Sequence, residues 1–125
     1  MTRFNGICLI TRDVRQLREF YEHVLQMQAE GDDTFVAFPT TGAALSIFSE
    51  QGMEHMAPGS MKPAGNGGYT LEFEVADVDK EYERLRALNV PIVKLPTTQV
   101  WGRRSVWFRD PDANIVNFYA SVASS

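Results

Sequence analysis

Cysteine, histidine and long apolar runs are scarce in this chain. A single cysteine, Cys8, excludes an internal disulfide framework and a cysteine-rich zinc site. The two histidines, His23 on the first predicted helix and His55 in a central loop, read as satisfied or solvent-facing side chains. The apolar runs are too short to cross a bilayer. Met1 to Gly6 lacks the apolar stretch of a secretory signal, so a cytoplasmic location and no membrane partner are expected. A net charge of −4 argues against a nucleic-acid partner. Arg103, Arg104 and Arg109 lie near Trp101 and Trp107, but read as arginines on a solvated strand face. Phosphate loop, Ser-His-Asp order and dinucleotide fingerprint are all missing. The run Gly65-Asn-Gly-Gly68 lacks the strand before and helix after that a nucleotide loop requires.

The richest stretch is the end of the chain. A strand-like run, Ser105 to Arg109, meets the turn cluster Asp110-Pro-Asp-Ala-Asn114 and then a second strand-like run, Ile115 to Tyr119. Pro and Asx residues make this a hairpin signal. Asp110, Asp112 and Asn114 mimic the start of a calcium loop. Ile115 stands where that loop needs Gly, however, and Ser121 where it needs Glu, so a turn closed by Asx side chains is the better reading.

Two helices are predicted. Asp13 caps one carrying Val14, Leu17, Tyr21, Val24 and Leu25 at helical spacing. Asp77 caps another carrying Val78, Tyr82, Leu85 and Leu88, which Asn89 and Pro91 end. Strands are predicted at Phe4–Ile10, near Gln28–Glu30, and at Thr34–Phe38 and Ala43–Ser49 around the first helix. Tyr69–Val75, Ile92–Leu95, Arg104–Arg109 and Ile115–Tyr119 surround the second. Laying Asp13 on Asp77 sets Gly6 against Thr70 and Leu9 against Phe73. Further on, Phe38 falls on Phe108, and Ala44–Phe48 on Ile115–Tyr119. Each half then reads β-α-β-β-β. The fold class is α+β: one domain, 1–125, of two βαβββ modules, about 1–50 and 69–125. The segment 50–68, rich in Gly, Pro and Met, reads as a linker or as an adaptable apolar lid. Two curved sheets of this kind leave a concave space suited to a small ligand.

Asp13 with Phe20-Tyr21-Glu-His-Val-Leu25, Leu71-Glu-Phe-Glu-Val-Ala-Asp-Val78, Trp101-Gly-Arg103 and Asp110-Pro-Asp-Ala-Asn-Ile115 together resemble the vicinal oxygen chelate superfamily. Glyoxalase I, bleomycin-resistance proteins and extradiol dioxygenases belong to it. The resemblance implies a cup-shaped mixed sheet and a homodimer. The familiar turn reads Asp-Pro-Asp-Gly-Asn, and Ala113 replaces its Gly.

Metal-dependent relatives draw His and Glu ligands from the first and last strands of each module. Carried over by the motif register, those positions are Gly6, Ser46, Thr70 and Asn117. Gly has no donor, Ser and Thr are weak neutral ligands, and an Asn oxygen substitutes poorly for a carboxylate. No metal and no other cofactor are therefore expected. The resemblance also turns Thr70, Glu72 and Glu74 toward the cup, and by parity Cys8, Ser46, Phe48, Asn117 and Tyr119 with them. Trp101 is expected to wall the cavity. An acid among aromatics suits a cationic or aromatic compound. The function expected is metal-independent binding or sequestration of a small organic ligand. The alternative is a lyase, isomerase or dioxygenase with a misplaced metal site, or with an enclosed Glu72 as acid or base. Tyr119, Cys8 and Arg103 are its only candidate partners. In a third reading the cup is filled by the chain's own side chains.

Overall fold

Asp13 starts the first helix by accepting a 3.0 Å hydrogen bond from the Gln16 amide in the computed structural model, which describes residues 1, 3–62 and 68–122. Helix α1 (Val14–Leu25) follows β1 (Gly6–Thr11) and buries Val14, Leu17, Tyr21 and Val24, the stripe its spacing predicts. It stops at Gln26, which is left-handed with φ 54°. Arg18 then donates to the carbonyls of Ala29 (2.7 Å) and Gly31 (3.2 Å), anchoring the entry to β2 (Glu30–Gly31). β3 (Phe35–Phe38) and β4 (Ala44–Ser49) complete a mixed sheet ordered β1-β4-β3-β2, in which β1 and β4 run parallel.

The second half repeats the plan. β5 (Thr70–Glu74) leads to α3 (Val78–Ala87), whose cap Asp77 accepts from the Lys80 amide at 3.1 Å. Asn89 takes the left-handed conformation beyond it, at φ 59°. β6 (Ile92–Thr98), β7 (Arg103–Arg109) and β8 (Ile115–Ser121) follow, and the sheet order is β5-β8-β7-β6 with β5 and β8 parallel. The chain is α+β, with three helices and two four-stranded mixed sheets among the described residues. It divides into two compact units, Met1–Ala64 and Gly65–Ser125.

The repeat predicted from the sequence is visible in the strand pairing. Gly6 pairs with Ala44 as Thr70 pairs with Ile115, and Phe38 with Leu45 as Phe108 with Val116. In the second unit Leu71, Val106, Phe108, Val116 and Phe118 are buried on one face of the sheet, and α3 buries Val78 and Leu85. Phe108 and Phe118 meet edge to face at 4.9 Å, and neither is more than 2% exposed. Burying each such ring stabilises by roughly 1.5–3 kcal/mol. The opposite face is left polar.

Two elements depart from the sequence reading. Glu50–Met56, linker-like by composition, forms a helix, α2. Ser49 caps it by accepting from the Gly52 amide at 2.9 Å, and a side chain at Gly52 would strike the Phe48 ring at 2.6 Å. Residues 63–67 of the same segment, including Gly65-Asn-Gly, lie outside the described residues. β6 extends to Thr98 through Pro96, an edge position where the ladder shifts register between Lys94 and Thr97 and no proline amide is needed.

The 110–114 turn forms as its Asx residues predict. Buried Asp110 accepts from the Asp112 and Asn114 amides through Oδ1, and from Asn114 Nδ2 through Oδ2, each at 2.9 Å. Ala113 stands at φ 68°, the conformation a glycine would take without strain.

Candidate functional site

Strand alternation sets the site in the second unit. With Leu71 and Phe73 turned toward the core, Thr70, Glu72 and Glu74 take the other face of β5. The pairing Glu72–Asn117–Trp107 and Glu74–Tyr119–Ser105 carries that face across β8 and β7. Arg103 stands at its end on β7, whereas Arg104 turns to the helix side and grips Asp79 of α3.

Arg103 organises the face. Its guanidinium carbon lies 3.7 Å from the centroid of the Tyr119 ring, and its Nη1 lies 3.8 Å from Glu72 Oε1. The other Glu72 oxygen faces the Asn117 amide group, Nδ2 to Oε2, at 3.5 Å. Glu72 thus stands between a cation and an amide donor, with its side chain 49% exposed. The carboxylate expected to be enclosed as a general base is thus half-exposed.

The acid and the aromatic face that suit a cationic guest are both engaged by the protein's own guanidinium. Of the residues proposed from sequence, Glu72, Asn117 and Tyr119 come together, with Thr70 on the same strand face. Trp101 is 71% exposed on the turn between β6 and β7, off the sheet face. Trp107 is half-buried on the polar face with Lys94 Nζ 5.2 Å from its ring centroid.

Two atoms in this cluster lack partners. Asn117 Oδ1 and Trp107 Nε1 are the buried side-chain polar atoms without a hydrogen bond among the described residues. Leaving such a group unsatisfied costs about 1–3 kcal/mol.

The first unit holds the remaining proposed residues. Cys8 pairs with Ser46 and Ser46 with Ala37, while Phe48 pairs with Ile10 and meets Phe35 edge to face at 6.2 Å. This face is more apolar than that of the second unit. Two open grooves flank α2. One of about 530 Å³ is lined by Arg12, Asp33 and Glu54 among others, and one of about 410 Å³ by Phe48, His55 and Met56 among others. Neither was signalled by the sequence, because the helix that makes them reads as a linker.

The residues at the superfamily's ligand positions do not fit a divalent metal ion. A Cβ at Gly6 would lie 2.4 Å from the Ala44 carbonyl oxygen, so a side chain there would require the Ala44 backbone to shift. Ser46, Thr70 and Asn117 supply only neutral oxygens. Among the described residues no group of three or more His, Cys, Asp or Glu side chains could hold a metal ion. No described helix is long and apolar enough to cross a membrane.

Comparison with known proteins agrees with this layout. The sequence pattern of the Glyoxalase/Bleomycin resistance protein/Dioxygenase superfamily matches residues 3–118. An uncharacterized Bacillus subtilis (strain 168) protein, YraH, is 27% identical, with 90% of this chain and 94% of that protein covered. A glyoxalase/bleomycin resistance protein/dioxygenase family enzyme from Burkholderia phytofirmans PsJN superposes with a TM-score of 0.85 at 18% identity, covering 97% of this chain and 100% of that one. Lactoylglutathione lyase from Agrobacterium tumefaciens superposes with a TM-score of 0.76 at 22% identity, covering 96% and 94%. These two structures share the fold.

Proposed function

The chain belongs to the Glyoxalase/Bleomycin resistance protein/Dioxygenase superfamily, and on that footing we propose that it binds a small organic molecule without a metal ion. One observation carries the reading. The positions from which metal-dependent relatives draw ligands hold Gly6, Ser46, Thr70 and Asn117; Gly6 has no donor, and a side chain there would meet the Ala44 backbone unless it shifted. Binding of a guest needs none of that chemistry; it needs a shaped face with a few polar groups, such as Glu72, Arg103, Asn117 and Tyr119 provide.

A planar guest suits this face better than a cationic one, because Arg103 already supplies the positive charge beside Tyr119 and Glu72. Sequestration, as in bleomycin-resistance-type proteins, is the role that best matches a site without a catalytic metal. The acid–base alternative loses support from the exposure of Glu72 and its pairing with Arg103. The resemblance supports a homodimer as the working form.

Elemental analysis of purified, tag-free protein tests the reading after incubation with Zn, Mn, Fe and Ni and removal of the excess. Far less than one metal per chain is expected. One metal per chain would overturn it and put a metal-dependent enzyme in its place.

A further inference from the structure

Helix α2 packs on β4 and β1 and walls the groove of about 410 Å³ that Phe48, His55 and Met56 help to line. That volume lies in the range that holds a small molecule. Gly52, His55 and Met56 stand at i, i+3 and i+4 on the helix and so share one face. This face meets the Phe48 ring, since a Cβ at Gly52 would lie 2.6 Å from two of its carbons. Phe48 pairs with Phe35 across β4 and β3, and their rings meet edge to face at 6.2 Å.

Two features of this groove cost stability without a guest. A helical glycine is about 1 kcal/mol less favourable than alanine, and here it leaves the Phe48 ring its place against the helix. Phe35, beside that ring, is 45% exposed, and Met56, on the lining, 76%. Charge then narrows the guest. No Asp, Glu, Lys or Arg lines this groove. The groove of about 530 Å³ beside it shares Thr34, Ser49 and Gln51 but carries Asp33, Glu50 and Glu54 against Arg12 alone. Arg12 is itself paired with Glu50 at 3.2 Å. Anions are repelled by that neighbour, and cations are drawn into it.

We propose that the groove between Phe48 and α2 is a second binding site, for a neutral aromatic molecule. The guest's ring packs on Phe48, a contact worth about 0.5–1.5 kcal/mol beyond the area it buries. Met56 supplies an adaptable apolar wall whose sulfur tolerates an aromatic neighbour. Thr34, Gln51 and His55 add hydrogen-bonding groups to the lining. Helix α2 buries none of its residues fully, so it can adjust to the guest. This site lies wholly in the first unit and goes beyond the metal-free reading, which stands or falls without it.

The test is a titration with β-naphthol of protein carrying ¹³C in its methionine methyl groups, the signals assigned by Met56→Leu and Met27→Leu. The Met56 signal should move saturably while that of Met27, beyond the end of α1, stays put. Decalol, the saturated counterpart, and β-naphthoate should each bind about fivefold more weakly. Gly52→Ala, which forces the Phe48 ring aside, and Phe48→Leu should each lose about tenfold in naphthol affinity. If either variant fails to fold, the comparison of probes on the unaltered protein decides alone. A Met56 signal unmoved by naphthol, or equal binding of decalol, overturns the inference. Full naphthol affinity in folded Gly52→Ala does the same. A Met56 signal that moves on raising the protein concentration alone would put a second copy of the chain in the groove and also overturn it.

Discussion

Arg103 lies flat on Tyr119, 3.7 Å from guanidinium carbon to ring centroid, with Glu72 at 3.8 Å from its Nη1. The protein thus holds its own cation where a cationic guest would sit. Both partners of the ion pair are over a third exposed, so the pair itself adds little stability. Arg103→Ala should cost about 1 kcal/mol or less, mostly from the lost cation–π contact. The same change should raise affinity for benzyltrimethylammonium roughly fivefold by vacating the ring and the carboxylate. Calorimetric titration of both proteins checks this; equal affinities would mean Arg103 does not occupy the guest's place.

Ala113 pays a conformational cost at φ 68° that the surrounding turn offsets with the Asp110 bonds and an Arg109 Nη1 donation to its carbonyl at 2.8 Å. Ala113→Gly should relieve the strain and stabilise the fold by about 0.5–1 kcal/mol. Urea denaturation would show a higher midpoint at unchanged slope. A lower midpoint would mean that chain entropy outweighs the strain.

Asp79 and Arg104 form a fork of two hydrogen bonds, 2.9 Å from Nε and 2.7 Å from Nη2. Hydrogen bonding from Arg104 holds the Asp79 carboxyl below its ordinary range. A depressed carboxylate stabilises the folded state above its unfolded pKa of about 3.9 and stops doing so as pH falls through the folded value. Asp79→Asn should therefore be less stable than the unaltered protein near neutrality, and the difference should vanish in strong acid. A difference independent of pH would show that the charge is not what matters.

Ser49 closes β4 and opens α2, accepting from the Gly52 amide at 2.9 Å. Helix α2 buries none of its residues fully, so its cap carries an unusual share of its stability. Ser49→Ala should cost about 1 kcal/mol. Amide exchange over 50–56 should speed up while exchange in α1 is unchanged. Uniform acceleration would mean that the whole unit depends on the cap.

What the sequence disclosed, and what it hid, follows the range of the interactions. The caps Asp13 and Asp77, the left-handed Asn89 and the 110–114 turn depend on residues a few positions apart, so composition and spacing reveal them. The paired strands were legible because apolar alternation repeats in both halves at the same offset from each cap. Helix α2 was not legible: Gly52 and scattered Met residues mask a segment capped by Ser49, packed close to the Phe48 ring and tied to Arg12 through Glu50. In the site, parity placed Glu72, Asn117 and Tyr119 on one face. It gave no reason to lay Arg103 across them, since that contact joins β7, β8 and β5 and depends on a side chain's reach. The orphaned pair on Asn117 and Trp107 was hidden for the same reason, since only paired strands bring those residues opposite each other.

The central claim is that this chain binds a small molecule with its own side chains and no metal. The most direct measurement is saturation-transfer NMR of chelator-treated protein against a set of small planar polar compounds, repeated after adding Zn or Mn. The account predicts saturable binding of at least one compound at one per chain, with the same affinity before and after metal is added. Binding that appears only with metal, or none under either condition, would contradict it.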